Sequence, residues 1–123
     1  MTQAASPGEA ENRPSHCLFC AIADGSAPAT LVYRDDQLVA FTALEPEAPV
    51  HLILVPRLHI QSVDALNEEH MGLWMAMLRV AQRLARMSGI DVEGEGYQLL
   101  THAGRHGTRA FPHLHVHLLN GER

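Results

Sequence analysis

The stretch His113-Leu114-His115-Val116-His117-Leu118-Leu119 constrains this chain more than any other. Successive side chains of a strand point to opposite faces, so His113, His115 and His117 line one face while Leu114, Val116 and Leu118 line the other. The aliphatic face anchors the strand against a core. The imidazole face is poor core material, because each buried ring needs partners for two nitrogens and three protonated rings in a row would repel. Such a row reads as a site, and the remaining sequence as the scaffold that presents it.

The scaffold is small. A chain of 123 residues builds one compact domain rather than two. Its hydrophobic fraction of 46% and charged fraction of 19% are those of a globular protein, too weakly charged for a disordered one. No apolar run approaches bilayer-spanning length, and Met1 to Ser15 has no basic start followed by a hydrophobic block, so no membrane association and a cytoplasmic location are expected. A net charge of -5 argues against binding a nucleic-acid polymer, which would need a basic stripe. The charge is uneven, however. From Gly96 to Gly121 there is no Asp or Glu, yet that segment holds His102, Arg105, His106, Arg109 and the three strand histidines. An acid-free, cation-capable segment in an acidic protein points to an anion site, with phosphate as the anion suited to Arg and imidazole donors.

Residues 1–16 are small and polar, with Pro7 and Pro14 and no apolar periodicity, and read as a flexible tail ahead of a single domain over 17–123. Cys17 to Asp24 suggests one or two helical turns stopped at Gly25. Leu31–Arg34 and Gln37–Thr42 form a hairpin around Asp35-Asp36, and Pro46 and Pro49 interrupt regular structure after it. His51 stands at the mouth of a strand, Leu52–Val55, whose continuous apolar run implies burial on both faces. From Asn67 to Ser88 the period becomes helical: Leu73, Met77, Val80, Leu84 and Met87 share a side opposite Arg79, Gln82, Arg83 and Arg86. Asn67 is the expected N-cap and Gly89 the expected residue past the end. Tyr97–Thr101 is a further strand, and residues 102–112 connect it to the histidine strand. The fold class is therefore α+β: an antiparallel sheet of about five strands with one long and one short helix.

Cys17-x-x-Cys20 admits a zinc half-site, a redox pair or two buried thiols. The redox reading is disfavoured because no strand of a thioredoxin-type unit precedes it. Two thiolates with two imidazoles would close a tetrahedral zinc site and pin the amino-terminal segment to the sheet. On the residues alone, zinc and inert thiols stand level. For His115 two functional readings are open: a nucleophile or acid–base group, since imidazole titrates near pH ~6.5, or a member of a His-x-His ligand pair.

Cys17-Leu-Phe-Cys20, Val32-Tyr33-Arg-Asp-Asp, Pro46-x-Ala48-Pro49-x-His51-Leu-Ile-Leu-Val-Pro56-Arg-x-His59 and His113-x-His115-x-His117-Leu-Leu together resemble the histidine triad family, in its order and over nearly all of Cys17 to Leu119. The resemblance implies a homodimer of α+β subunits that binds nucleotide-like small molecules. It also implies cleavage of phosphoramidate, phosphoanhydride or related bonds through a covalent nucleotidyl-histidine. The nucleophile falls on His115, with His117 and His51 orienting it and contacting phosphate. Zinc-bearing members and the related hexose-1-phosphate uridylyltransferases imply a structural zinc on Cys17, Cys20, His59 and His113. The resemblance also implies a backbone carbonyl that fixes the nucleophile's proton on its far nitrogen. Substrate contacts are expected at His102, Arg109, Phe41 and Leu44.

Departures from the family pattern bear on specificity. Ala43 stands where many members have the Asp that holds the ribose hydroxyls, His102 at the phosphate-binding Asn, and Arg109-Ala110 at the usual Gln-Ser. Arg109 can still neutralise phosphate, whereas Ala110 cannot donate to a leaving group. Few residues follow Leu119 where members carry a longer tail that shapes substrate choice. These changes leave the nucleophile and weaken ordinary nucleotide specificity. The competing expectation is a zinc-stabilised dimer that binds a nucleotide or protein partner with little catalysis.

Overall fold

The computed structural model describes residues 17–104 and 112–121. Helix α1 (Leu18–Asp24) leads into strands β1 (Leu31–Arg34), β2 (Leu38–Thr42) and β3 (Val50–Pro56). Helix α2 (Met71–Met87) follows, then β4 (Gln98–Leu100) and β5 (Val116–Asn120). The five strands form one sheet in the order β1-β2-β3-β5-β4, every pair antiparallel. This is the expected α+β class, with one long and one short helix.

Alternation along the strands sorts the core into two layers. Leu38, Ala40, Leu52, Leu54, Val116 and Leu118 face α2, where Met77, Val80, Ala81, Leu84 and Ala85 complete an aliphatic layer. Val39, Phe41, Ile53 and Val55 face α1 and meet Phe19, Cys20, Ile22 and Ala23. Leu38 through Phe41 are all buried because a helix covers each face, so β2 shows no polar alternation. His51 and His117 lie on the α1 face, since Ile53 sits opposite His117 and Leu52 opposite Leu118.

The helices end as their sequences dictate. α1 stops at Gly25, whose φ of 89° is the left-handed conformation a C-terminal glycine supplies, and its N–H reaches back to Ile22 at 3.2 Å. Asn67 caps a short 3-10 turn, Glu68–His70, that feeds α2, so the α-helix begins a turn later than its periodicity predicts. Met87 is exposed although it continues the apolar stripe, because it sits in the last position of α2.

Two further boundaries differ from expectation. β3 includes His51 and Pro56, and β5 begins only at Val116. His113, Leu114 and His115 precede the ladder, held by a main-chain bond from Leu114 N–H to the Ile60 carbonyl at 2.6 Å. The hairpin turn is fastened by Asp35, which accepts from the amides of Gln37 (2.7 Å) and Leu38 (2.9 Å) and from the Tyr33 hydroxyl (2.6 Å). Arg57 ties that turn to α1 by donating to the carbonyls of Asp35 and Ala23, both at 2.8 Å.

Candidate functional site

Among the described residues, the clustered cysteines and histidines gather on the α1 side of the sheet. The helix presents Cys17, its N-cap, and Cys20; the segment leaving β3 presents His59; the segment entering β5 presents His113. Cys17 Sγ and Cys20 Sγ lie 3.2 and 3.4 Å from Nδ1 of His113, Cys20 Sγ lies 3.2 Å from Nδ1 of His59, and the two Nδ1 atoms are 3.1 Å apart. Ligands of tetrahedral zinc at bond lengths of about 2.3 Å (S) and 2.0–2.1 Å (N) sit roughly 3.3–3.8 Å from one another, so the four atoms form a slightly compact version of that cage. The chemistry of the set agrees. His113 Nε2–H donates to the Pro56 carbonyl at 2.9 Å, which leaves the Nδ1 lone pair directed at the sulfurs, and the Cys20 N–H donates to Cys17 Sγ at 3.3 Å. Both cysteines are free thiols and buried. These residues fit a borderline-soft divalent ion.

Beside that cage, but not in it, stands His115. Its Nδ1–H donates to the main-chain carbonyl of His113 at 2.8 Å, which leaves the lone pair on Nε2. The ring packs against Phe19 at a centroid distance of 5.0 Å and edge-on to His117 at 5.1 Å. Burial holds the His115 pKa below the ordinary imidazole value of 6.5; the His113 carbonyl works against this and the nearby His102 adds to it. The neutral ring is therefore the resting form at neutral pH.

A second chain of bonds fixes the proton on His117. The Glu47 N–H donates to His51 Nδ1 at 3.0 Å, so His51 carries its proton on Nε2 and donates it to His117 Nδ1 at 2.8 Å. His117 then presents an N–H at Nε2. His102 completes the group: its ring centroid is 6.3 Å from that of His115 and 5.8 Å from that of His117. A nitrogen of each of these three lies within 4.8 Å of the others, and His102 Nδ1 is buried with no hydrogen-bond partner among the described residues. Three imidazoles at that spacing could attract a metal ion, but the bond chain turns a donor, not a lone pair, out of His117. A lone pair beside an N–H donor suits an electrophilic, anionic group such as phosphate better than a cation.

The structure thus brings together His51, His102, His115 and His117 on one side and Cys17, Cys20, His59 and His113 on the other. Phe41 is 4% exposed and packs on Phe19 at 5.8 Å, while Leu44 is 85% exposed. Arg109 and Ala110 lie outside the described residues. Three contributors are given no role by residue spacing: Phe19, between the two cysteines; the Glu47 amide; and Thr101, whose hydroxyl donates to the His115 carbonyl at 2.6 Å. Among the described residues no helix is long and apolar enough to cross a membrane.

Comparison with known proteins gives concordant results. The family described as scavenger mRNA decapping enzyme C-terminal binding matches residues 16–122. The purine nucleoside phosphoramidase of Escherichia coli (strain K12) is 35% identical over 104 residues, covering 85% of this chain and 86% of its own. A 14 kDa zinc-binding protein of Brassica juncea is 31% identical over 108 residues, covering 86% of this chain and 93% of its own. The crystal structure of a HIT family hydrolase from Legionella pneumophila Philadelphia 1 superposes with a TM-score of 0.81 at 36% identity, over 88% of this chain and 95% of that one.

Proposed function

The chain belongs to the histidine triad (HIT) family, and from that premise we propose that it hydrolyses a phosphorus–nitrogen or related bond in a nucleotide-type substrate, with His115 as nucleophile. One observation carries the reading: His115 commits Nδ1–H to the His113 carbonyl and keeps its lone pair on Nε2, beside the N–H donor of His117.

The Nε2 lone pair attacks phosphorus, and the bond to the leaving amine breaks with its electron pair. The amine departs with a proton taken up from solvent, and the nucleotidyl group rests on His115. Water then attacks the same phosphorus and gives up a proton to solvent, the P–Nε2 bond breaks with its electron pair returning to Nε2, and the nucleoside monophosphate leaves with His115 restored. His117 Nε2–H, oriented through His51 and Glu47, stabilises the charge that develops on the phosphoryl oxygens. His102 and Arg109 are the further phosphate contacts, and Leu44 and Phe41 border the nucleoside side.

Cys17, Cys20, His59 and His113 would hold a structural zinc ion, which supplies rigidity and, with four protein ligands, offers no open position for chemistry. The free cysteines suit a reducing, cytoplasmic compartment. Met71 and Met75, one turn apart on α2, and Leu99 on edge strand β4 are exposed apolar side chains that support a homodimer.

Rapid quenching of the protein with adenosine phosphoramidate tests the reading: intact-mass and peptide analysis should find a nucleotidyl adduct on His115 and free adenosine monophosphate. A second reading, a zinc-stabilised binder with little activity, is favoured by Ala43, which offers no side-chain acceptor to ribose hydroxyls. Binding of the phosphoramidate with neither adduct nor product would decide for it.

A further inference from the structure

The cysteine–histidine cage and the nucleophile share more than proximity. His113 is tied down through several atoms: its Nδ1 sits in the cage, its Nε2–H holds the Pro56 carbonyl, and its own main-chain carbonyl accepts the His115 Nδ1–H. The neighbouring residues add a clamp, because Leu114 N–H bonds the Ile60 carbonyl one position beyond His59. The cage therefore closes around the same two segments that set the height and tilt of the His113 carbonyl. A second arm reaches His115 from the cysteine side. Phe19, between the two cysteines on α1, lies 5.0 Å from the His115 ring, 6.0 Å edge-on from His113 and 5.8 Å from Phe41.

We infer that this cage, besides fastening the amino-terminal segment, positions His115 through the His113 carbonyl and the Phe19 ring, with Phe19 as a positioning residue. The inference rests on His115 being the nucleophile. With an ion in the cage, the carbonyl holds one tautomer and Phe19 closes one side of the ring, so the Nε2 lone pair has one direction. With the cage open, the His113 ring loses the ion that holds its Nδ1, and both arms loosen together. An imidazole that samples two tautomers offers Nε2 as a nucleophile for only part of the time, and a ring misplaced by an ångström loses alignment with phosphorus.

The test compares metal-loaded wild type, chelator-treated wild type and metal-loaded Phe19→Ala. Long-range nitrogen–proton NMR on histidine-labelled protein reads the His115 tautomer without substrate. Loaded wild type should show a single form protonated at Nδ1, and chelated protein a mixture. Phe19→Ala should keep one metal ion per chain while its kcat falls about 10- to 100-fold, with KM moving less; Phe19→Leu, which refills the space, should recover most of the loss. If chelation unfolds the chain, Phe19→Ala alone decides. The inference is overturned if chelated, folded protein keeps one tautomer, or if Phe19→Ala either loses its metal or keeps full kcat. Failure of the nucleophile assignment would appear differently, as loaded wild type with an ordered tautomer and no nucleotidyl adduct.

Discussion

On the α2 face of the sheet, Leu52, Leu54, Val116 and Leu118 meet Met77, Val80 and Leu84 in contacts that have volume but no direction. One residue along the same strands, His51, Ile53 and His117 look the other way, toward a helix that brings sulfur and a phenyl ring. There the contacts have direction: an amide to a ring nitrogen, ring to ring, ring to carbonyl. Dispersion and burial tolerate any side chain of the right volume. Hydrogen-bonded imidazoles tolerate no change that moves a proton from one nitrogen to the other. The sheet separates the layer that keeps the chain folded from the layer that does chemistry, at the thickness of a strand.

That separation can be broken by experiment. His115→Ala removes the proposed nucleophile and should lower turnover by on the order of 10⁴-fold or more, while metal content and the cooperative unfolding transition survive. Turnover of a nucleoside phosphoramidate at the wild-type rate would end the assignment. Leu54→Ala, on the aliphatic face, should cost about 2–5 kcal/mol of stability through lost burial and a residual cavity, yet leave kcat per folded molecule unchanged. Denaturant titration with assays below the transition measures both quantities. A tenfold loss of kcat in folded Leu54→Ala would mean the two layers are coupled through the sheet.

A finer cut lies within the chemical layer. His51→Phe keeps a ring of similar size but removes the donor to His117 Nδ1, so the proton on His117 is no longer confined to Nε2. The expected result is a kcat about 10²-fold lower, the usual scale for one positioned proton-handling group. A change confined to KM would show instead that His51 only shapes the pocket.

The aliphatic layer was the more legible of the two. The 3.6-residue period of α2 and the apolar run of β3 place Met77, Val80, Leu84, Leu52 and Leu54 in the core directly, because burial depends on pattern and the pattern is written in consecutive residues. For the chemical layer the residues were legible and their division of labour was not. Strand alternation puts His113, His115 and His117 on one face as equals. In the structure the ladder starts at Val116, so His113 turns its ring into the cysteine cage while its carbonyl serves His115. The resemblance to the family assigns those roles, but strand periodicity does not. Phe19 shows the limit from the other side: ligand spacing treats the residues between two cysteines as filler, and only the packing of α1 on the sheet brings that ring against His115.

Directional bonds do not by themselves make a chemical site, and Asp35 provides the control. Burial alone would raise its pKa, but the Tyr33 hydroxyl, the amides of Gln37 and Leu38 and the Arg57 charge outweigh it and hold the carboxyl below the usual carboxylate range. A carboxylate with a depressed pKa contributes stability that is complete above its unfolded value of about 3.9 and is lost as pH falls through the lower folded value. Asp35→Asn should therefore cost about 1 kcal/mol at neutral pH, with kcat unchanged. The quantity to follow is the difference in stability between wild type and variant, in which effects common to both cancel. That difference should hold steady down to pH about 4 and shrink only below it. A difference that disappeared near pH 6 would place its origin at a histidine and tie the hairpin turn to the chemical layer after all.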